Sequence, residues 1–407
     1  MGRPRHYNEP VLALLPLANP LDAPVLSGAT VAAYATTLDG KIVFARNEAT
    51  RVVPASNQKL LSAAFALSAL GPDARQATRV WKEGDRTVVQ AEGDPLLTRD
   101  DLLRLDVDRT KPVFVAEAYA PGIPEGWQSD YLGDKYGASV YALSVDDGAF
   151  ALWSKGGKAE LRPASYGVEI VPHPGTTFAW KYDPLARRLD VTGPVPEKEG
   201  LIDTLATPRA DFAAASLLGV DPRTTTEVPT RTPDIVLPGH TVAEAVAACL
   251  PPSDNNIAEH LLLNAAHAQG DSPYADAAAK LKGFLEGTVG LTKGDVLPRD
   301  GSGLGRQNYV TARAIVGLLR WADRQPTREV WRGALAKAGG PGTLKSRLTD
   351  VTFVGKTGSL SRVLALSGYL KRKDGSEIAL SVIVNGFDAT DTGVRAAMDA
   401  WVRSLAK

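Results

Sequence analysis

The chain has 407 residues, of which 44% are hydrophobic and 23% charged, enough for two or three domains with buried cores. Basic and acidic residues both number 46, so the positive surplus typical of nucleic-acid binding is missing and no nucleic-acid partner is expected. The single cysteine, Cys249, excludes an intrachain disulfide, and we interpret it as a core residue because its neighbours are apolar. No stretch approaches the ~20 apolar residues of a transmembrane helix.

The N-terminus is ambiguous. Arg3 and Arg5 precede the apolar run 11–15, which is the order found in secretory signal peptides. Pro16 ends that run early and Pro20 follows soon after, so a leader that is not an intact export signal is an equal alternative.

The first predicted elements are two strands and a helix. The β-prone runs 29–37 and 41–48 are joined by Asp39-Gly40, a dipeptide typical of hairpin turns. Apolar residues then recur at helical spacing over 57–70.

Between 72 and 205 the helical spacing is nearly absent, and short apolar runs alternate with Gly, Pro and charged turns, which predicts a β-rich inserted domain. Helical spacing returns afterwards and predicts helices over 209–218, 242–250, 255–268, 275–285, 311–324 and 328–338, then strands over 351–355, 363–371 and 378–385, and a last helix over 394–405. Strands at both ends of the chain are expected to share one sheet with helices on its faces. The sequence thus predicts an α+β protein in which 22–71 and 206–407 form one discontinuous domain.

Ser56 and Lys59 lie three residues apart at the start of the first predicted helix, so their side chains share a face. A desolvated, neutral lysine can activate a serine nucleophile. About one chance Ser-x-x-Lys is expected in a chain of this length, and on its own the pair favours a simpler interpretation, a capping serine and a solvated lysine.

Ser253-Asp254-Asn255 follows two prolines and opens another helix. Taken alone, it is typical of a helix cap; the functional interpretation is a second hydroxyl that relays a proton and an amide that holds substrate.

Lys356-Thr357-Gly358-Ser359 follows a predicted strand. A cation, two hydroxyls and a glycine that admits close backbone approach suit an edge strand that binds an anionic peptide end. The simpler interpretation is an ordinary strand, although Lys-Thr-Gly arises by chance in only about one such chain in ten.

The three motifs together resemble the Ser-x-x-Lys, Ser-Asp-Asn, Lys-Thr-Gly set of penicillin-binding proteins and serine β-lactamases. The long gap between the first two motifs resembles the low-molecular-mass class C penicillin-binding proteins, the peptidase S13 family. Further segments are similar to motifs of that family: 92–98 (EGDPLLT), 142–145 (ALSV), 299–308 (RDGSGLGRQN) and 342–348 (GTLKSRL). The chain departs from the family at Gly305, where serine is common, and at Ser359, where threonine is common.

This resemblance implies a transpeptidase-like fold, an antiparallel sheet with helices on both faces, and a periplasmic or extracytoplasmic serine D-Ala-D-Ala carboxypeptidase, with endopeptidase action as an alternative. The substrates would be peptidoglycan stem peptides, and β-lactams would be covalent inhibitors. Ser56, Lys59 and Ser253 would be catalytic, and a substrate-binding set would comprise Asn255, Lys356, Thr357 and Ser359.

Other functions remain open. A serine β-lactamase or esterase of the same fold, or a penicillin-binding sensor without turnover, would carry the same motifs. No cofactor is expected, and His260 and His267, seven apart on one predicted helix, are interpreted as ordinary helix residues because no further metal ligand accompanies them.

Overall fold

The structure, a computed structural model, describes residues 19–119, 122–162, 167–270 and 274–407. The predicted leader, apart from Pro20, lies outside these ranges. Across the described ranges no helix combines the length and apolarity needed to cross a membrane.

The described residues form strands and helices in mixed order. The strands are Thr30–Thr37 (β1), Ile42–Arg46 (β2), Thr78–Lys82 (β3), Thr87–Ala91 (β4), Pro112–Glu117 (β5), Ala149–Lys155 (β6), Lys158–Arg162 (β7), Glu169–His173 (β8), Ala179–Asp183 (β9), Arg188–Thr192 (β10), Gly200–Ala206 (β11), Val220–Thr224 (β12), Ile235–Leu237 (β13), Val296–Leu297 (β14), Tyr309–Val310 (β15), Ala336–Lys337 (β16), Phe353–Leu360 (β17), Val363–Lys371 (β18) and Glu377–Asn385 (β19). The α-helices are Gln58–Ala69 (α1), Arg99–Leu103 (α2), Ala210–Ala215 (α3), Val242–Cys249 (α4), Asn255–His267 (α5), Tyr274–Gly287 (α6), Ala312–Ala322 (α7), Arg328–Ala334 (α8) and Asp391–Leu405 (α9).

The central sheet confirms that both ends of the chain share one sheet. Its strand order within the described residues is β16-β17-β18-β19-β1-β2, and all neighbours are antiparallel. Its inner strands β18 and β19 are almost wholly buried because both of their faces are covered.

Alternation along β18 shows what covers each face. Leu364 and Leu366 pack with Met398 and Trp401 of α9 in one apolar cluster. The residues of β18 whose side chains point to the opposite face, such as Tyr369, pack in a second cluster with α1, α5 and α7. The predicted α+β architecture, with helices on both faces, is therefore confirmed.

The segment between α1 and α4 is rich in strands, as predicted. It contains a five-stranded sheet of order β12-β5-β4-β3-β13 and two three-stranded sheets, β8-β10-β9 and β11-β6-β7, within the described residues. The two small sheets share a core formed by Phe150, Leu152, Leu189, Val191 and Leu205.

The sheet of this segment continues past the predicted end at 205. The strands β12 and β13 were missed: β12 contains a proline and charged residues, and β13 has three residues, so neither shows strand periodicity. The domain boundaries stay a prediction, and this strand order favours an insert that extends to Leu237.

Candidate active site

Ser56 lies in a tight turn that precedes α1. The 3-10 turn Ala55–Asn57 runs directly into the helix, and Ala55 has a φ of 47°, in the left-handed region that a residue with a Cβ rarely adopts. Strained backbone of this kind persists where surrounding contacts hold it, and it is frequent at reactive residues.

Three contacts hold this turn against the central sheet. Asn57 Nδ2 donates to Ser367 Oγ on β18 at 2.6 Å. Val53 exchanges two hydrogen bonds with the side chain of Asn385 at the end of β19, at 2.8 and 3.1 Å. The serine is therefore positioned by the most buried strands of the molecule.

Two glycines let neighbouring segments approach the turn closely. A Cβ on Gly358 of β17 would lie 3.1 Å from the Ser56 nitrogen and 2.9 Å from the Pro54 oxygen. A Cβ on Gly303 would lie 2.0 Å from the Ala55 oxygen. Only glycine fits at both positions, which explains the glycines of the Lys-Thr-Gly and Gly-Ser-Gly motifs.

Lys59 is wholly buried, and its Nζ lies 2.9 Å from Ser56 Oγ. The same nitrogen donates to Asn255 Oδ1 at 2.6 Å and to the Ser302 carbonyl at 2.9 Å. These contacts account for the two N–H bonds of a neutral amine and leave its lone pair for the serine hydroxyl.

Burial lowers the pKa of Lys59 from its ordinary value, while the carboxylates of Asp254, Glu259 and Asp300 oppose that shift. Desolvation is the largest cause, so burial shifts Lys59 towards the neutral amine that a general base requires. The spacing of Ser56 and Lys59 in the sequence predicted that these two side chains would be neighbours.

Asn255 begins α5, whose N-cap is Asp254, and it connects the lysine to the insert. Its Oδ1 accepts from Lys59, and its Nδ2 donates to the Tyr136 carbonyl at 2.7 Å. The second motif therefore lies against the first, as predicted. Ser253, the first residue of this motif, has a φ of 72° and is half-buried. Among the described residues no hydrogen bond joins its hydroxyl to Ser56 or Lys59.

The third motif lies on an exposed strand edge. The short strand β16 pairs only with Val354 and Gly355 of β17, so the edge from Lys356 to Leu360 has no partner strand among the described residues. Gly358 brings this edge close to the turn that contains Ser56, which we call the nucleophile turn. The edge provides backbone groups that an extended peptide can pair with.

The side chains of β17 point to two sides. Lys356 is wholly buried and donates from Nζ to the Thr357 carbonyl at 2.8 Å; burial, with Lys59 as the next cause, lowers its pKa well below the ordinary value. Thr357 Oγ1 donates to Thr343 Oγ1 at 2.7 Å, and Ser359 is exposed. The structure thus brings all three motifs together. Lys356 is more enclosed than expected for a cation that binds an anionic peptide end.

The loop after β14 supplies a group that the sequence did not reveal. The Ser302 carbonyl that accepts from Lys59 belongs to this loop, whose Gly301 and Ser302 N–H groups donate to the buried Glu259 carboxylate at 2.6 and 2.8 Å. Burial, with repulsion from Asp300 as the next cause, raises the pKa of Glu259 to about 7.

Asp300 organises the same loop. Its carboxylate accepts from the Gly303 and Gly305 N–H groups, both at 2.7 Å, from Asn308 Nδ2 at 2.9 Å and from Trp127 Nε1 at 2.9 Å. A Cβ on Gly305 would lie 2.8 Å from this carboxylate. The glycine that stands here, where serine is common in the family, therefore packs closely against Asp300. The only sequence signal for this loop was its resemblance to the family motif.

The other residues singled out in the sequence are Cys249, which lies near Lys59 and Lys356, and two histidines of α5. Cys249 is buried, as predicted, and burial raises the pKa of its thiol to about 12. His260 Nδ1 contacts Tyr119 Oη at 2.7 Å inside the core, and burial lowers the pKa of this histidine to about 3. Among the described residues no group of three or more His, Cys, Asp or Glu side chains is placed to hold a metal ion.

Comparison with known proteins agrees with this architecture. Residues 16–160 and 240–405 match the model of the D-Ala-D-Ala carboxypeptidase 3 (S13) family, and the unmatched stretch contains β8 to β13. The D-alanyl-D-alanine carboxypeptidase of Actinomadura sp. (strain R39) is 30% identical over 90% of this chain and 79% of its own length. Carboxypeptidase DacB of Mycolicibacterium smegmatis is 28% identical over 85% of this chain and 74% of its own length.

Among solved structures, penicillin binding protein 4 (dacB) from Haemophilus influenzae superposes with a TM-score of 0.82 at 19% identity, over 97% of this chain and all of that one. The Bd0816 predatory endopeptidase from Bdellovibrio bacteriovorus superposes with a TM-score of 0.56 at 12% identity, over 93% of both chains. These likenesses support the fold. Since the family model matches most of the sequence and the three motifs converge on one serine, the chain belongs to the D-Ala-D-Ala carboxypeptidase 3 (S13) family.

Proposed function

We propose that this protein is a serine D-Ala-D-Ala carboxypeptidase that acts on peptidoglycan stem peptides through an acyl-enzyme on Ser56. The observation that carries the proposal is the 2.9 Å contact between Ser56 Oγ and the buried Lys59 Nζ. Family membership and the carboxypeptidase relatives support the substrate class. By the same reasoning the protein acts outside the cytoplasm, where the stem peptides are.

Acylation follows from the geometry of this pair. Neutral Lys59 takes the Ser56 proton as the oxygen attacks the carbonyl of the D-Ala-D-Ala bond, which gives a tetrahedral intermediate. The backbone N–H groups of Ser56 and Ser359 are the expected donors to its oxyanion, because Gly358 lets the strand that carries Ser359 approach the Ser56 nitrogen.

Breakdown of the intermediate needs a proton on the departing amine. Ser253 is the proposed relay: it donates its hydroxyl proton to the amine of the leaving D-alanine and is reprotonated from Lys59. The acyl group stays on Ser56 until water, deprotonated by Lys59, attacks the ester and releases the shortened peptide.

Substrate binding uses the exposed edge of β17. The extended peptide would pair with the backbone there, and the Asn255 amide would hold the acyl side. Of the predicted substrate-binding residues on this strand, Thr357 and Ser359 are proposed to bind the terminal carboxylate, and the buried Lys356 is proposed to act through its proximity to Lys59.

Endopeptidase action on cross-linked stem peptides is a second candidate, since predatory endopeptidases share the fold. The chemistry is the same, and only the leaving group differs. β-Lactams are the proposed covalent inhibitors; the Haemophilus influenzae protein is known in complex with a β-lactam, and the Bdellovibrio bacteriovorus Bd3459 protein in a form acylated by penicillin G.

The deciding experiment combines labelling and turnover. Wild-type protein should be labelled by fluorescent penicillin and should release D-alanine from a synthetic acyl-D-Ala-D-Ala peptide, whereas Ser56→Ala should do neither. Ser68→Ala, an exposed position of the same helix, is the control. Lys59→Met should slow acylation by about 10²–10⁴-fold, the usual contribution of a general base.

The same measurements separate the alternatives. Rapid hydrolysis of the penicilloyl ester would indicate a β-lactamase or esterase, and labelling without D-alanine release would indicate a sensor. A folded wild-type protein that is not labelled would contradict the proposal.

A further inference from the structure

A guanidinium group lies beside the last motif residue of β17. Arg395, in the first turns of α9, directs Nη2 to Ser359 Oγ at 3.2 Å and to Asp391 Oδ2 at 3.1 Å. The Arg395 side chain is 38% exposed and Ser359 is also exposed, so this contact faces the open side of the strand.

The motif lysine does not present a charge on that side. Lys356 is 0% exposed, and its Nζ is directed to the Thr357 carbonyl. It pairs across the sheet with Ser367, on the α1 face, whereas Ser359 pairs with Leu364, on the α9 face. An anion at Ser359 would therefore meet α9 rather than the lysine.

Two other arginines near this strand end are already engaged. Arg362 forms an ion pair with Asp388 and donates to the Phe387 carbonyl, and Arg306 donates from Nη2 to the Ser361 carbonyl at 2.5 Å. Among the described residues Arg395 has no acceptor for its Nε and Nη1 groups, as is also true of Arg306, but Arg395 differs from both because it contacts the hydroxyl of a motif residue, Ser359. A guanidinium has five donors and binds a carboxylate with two parallel hydrogen bonds.

We propose that Arg395 is a specificity-determining residue that, with Ser359, binds the free α-carboxylate of the leaving D-amino acid. This inference rests on the proposed function and deepens it. Asp391 holds Arg395 in place when no substrate is bound.

The test compares two substrates that differ only in this charge, an acyl-D-Ala-D-Ala peptide and the same peptide as its C-terminal primary amide. For the wild type, kcat/KM should favour the acid. In Arg395→Gln the acid should lose about tenfold or more in kcat/KM, because charge-assisted hydrogen bonds contribute this much, while the amide should change little. Arg395→Lys should retain part of the preference.

The matched control is Arg403→Gln, which removes one positive charge from the distal end of α9, where Arg403 pairs with Asp350 and is similarly exposed. Unfolding followed by circular dichroism checks that each variant is folded. An acid-to-amide ratio in folded Arg395→Gln equal to that of the wild type would overturn the inference while D-alanine release still supported the function. A wild type that cleaves neither substrate would overturn both.

Discussion

Glu259 accepts the Ser302 N–H at 2.8 Å, so a buried carboxylate holds the residue whose carbonyl accepts from Lys59. The second oxygen of the same carboxylate accepts the Gly301 N–H, and Tyr274 donates to it as well. The base in the site is therefore oriented by a side chain that makes no contact with Ser56 among the described residues.

We expect Glu259→Gln to lower the acylation rate without changing Ser56 or Lys59. A glutamine replaces one acceptor by a donor, so one of the two loop N–H groups loses its partner and the Ser302 carbonyl shifts away from the lysine. The penicillin acylation rate should fall by about tenfold or more, since such a hydrogen bond contributes about 1.5–3 kcal/mol. Glu329→Gln, at an exposed position of α8, is the control. An unchanged rate in the folded variant would show that the loop keeps its position without this carboxylate.

The second prediction concerns the approach of β17 to the nucleophile turn. The Cβ introduced by Gly358→Ala would press on the Pro54 oxygen and the Ser56 nitrogen, both backbone atoms, so the strand must move by a few tenths of an ångström. That shift separates the two proposed oxyanion donors, and the loss of one such donor costs about 10²–10³ in kcat. Stopped-flow acylation measures the effect. Gly84→Ala, where a Cβ would meet no atom within 4 Å, should leave the rate unchanged; equal rates for both variants would remove Gly358 from this role.

The third prediction separates strain from function at Ser253. Its φ of 72° favours glycine, so Ser253→Gly should raise the unfolding free energy, by up to about 1 kcal/mol, while D-alanine release falls because the proposed proton relay is lost. Asp221→Gly, at an exposed residue with a φ of 49°, relieves similar strain outside the site and should leave turnover unchanged. Chemical denaturation and a D-alanine release assay check both variants. Full turnover in Ser253→Gly would assign the residue to the turn alone.

The fourth prediction is a pH dependence of stability. Glu117 accepts from the Ala142 and Leu143 N–H groups in the insert, and burial, with Asp211 as the next cause, raises its pKa to about 8 from 4.5. The folded state therefore keeps a proton that the unfolded state loses, so this contribution is full below pH 4.5 and is lost as the pH rises to about 8. Glu117→Gln removes this titration. The unfolding free energy of the variant minus that of the wild type should therefore increase by up to about 1.4 kcal/mol for each pH unit in that window.

Urea unfolding at pH 5 and pH 8 measures this difference. The wild type and the variant both retain Glu259, whose raised pKa acts in the same direction, so its effect cancels in the comparison. Parallel pH profiles for the two proteins would contradict the assignment to Glu117.

The sequence by itself determined the parts of the site that depend on residue type and local spacing. The interval between Ser56 and Lys59 at a helix start places the two side chains together whatever the rest of the chain does. The strand and helix patterns at the two ends predicted the central sheet, since alternation and helical spacing are local properties. The family motifs then indicated that Asn255 and β17 would join this pair.

Only the tertiary structure decided which groups complete the site. The carbonyls of Ser302 and Tyr136 contact Lys59 and Asn255, and a backbone carbonyl has no residue signature by which a sequence could reveal it. The burial that lowers the pKa of Lys59 and encloses Lys356 comes from segments hundreds of residues away. The placement of Arg395 beside Ser359 likewise depends on how α9 packs on the sheet, because their 36-residue separation has no local geometry.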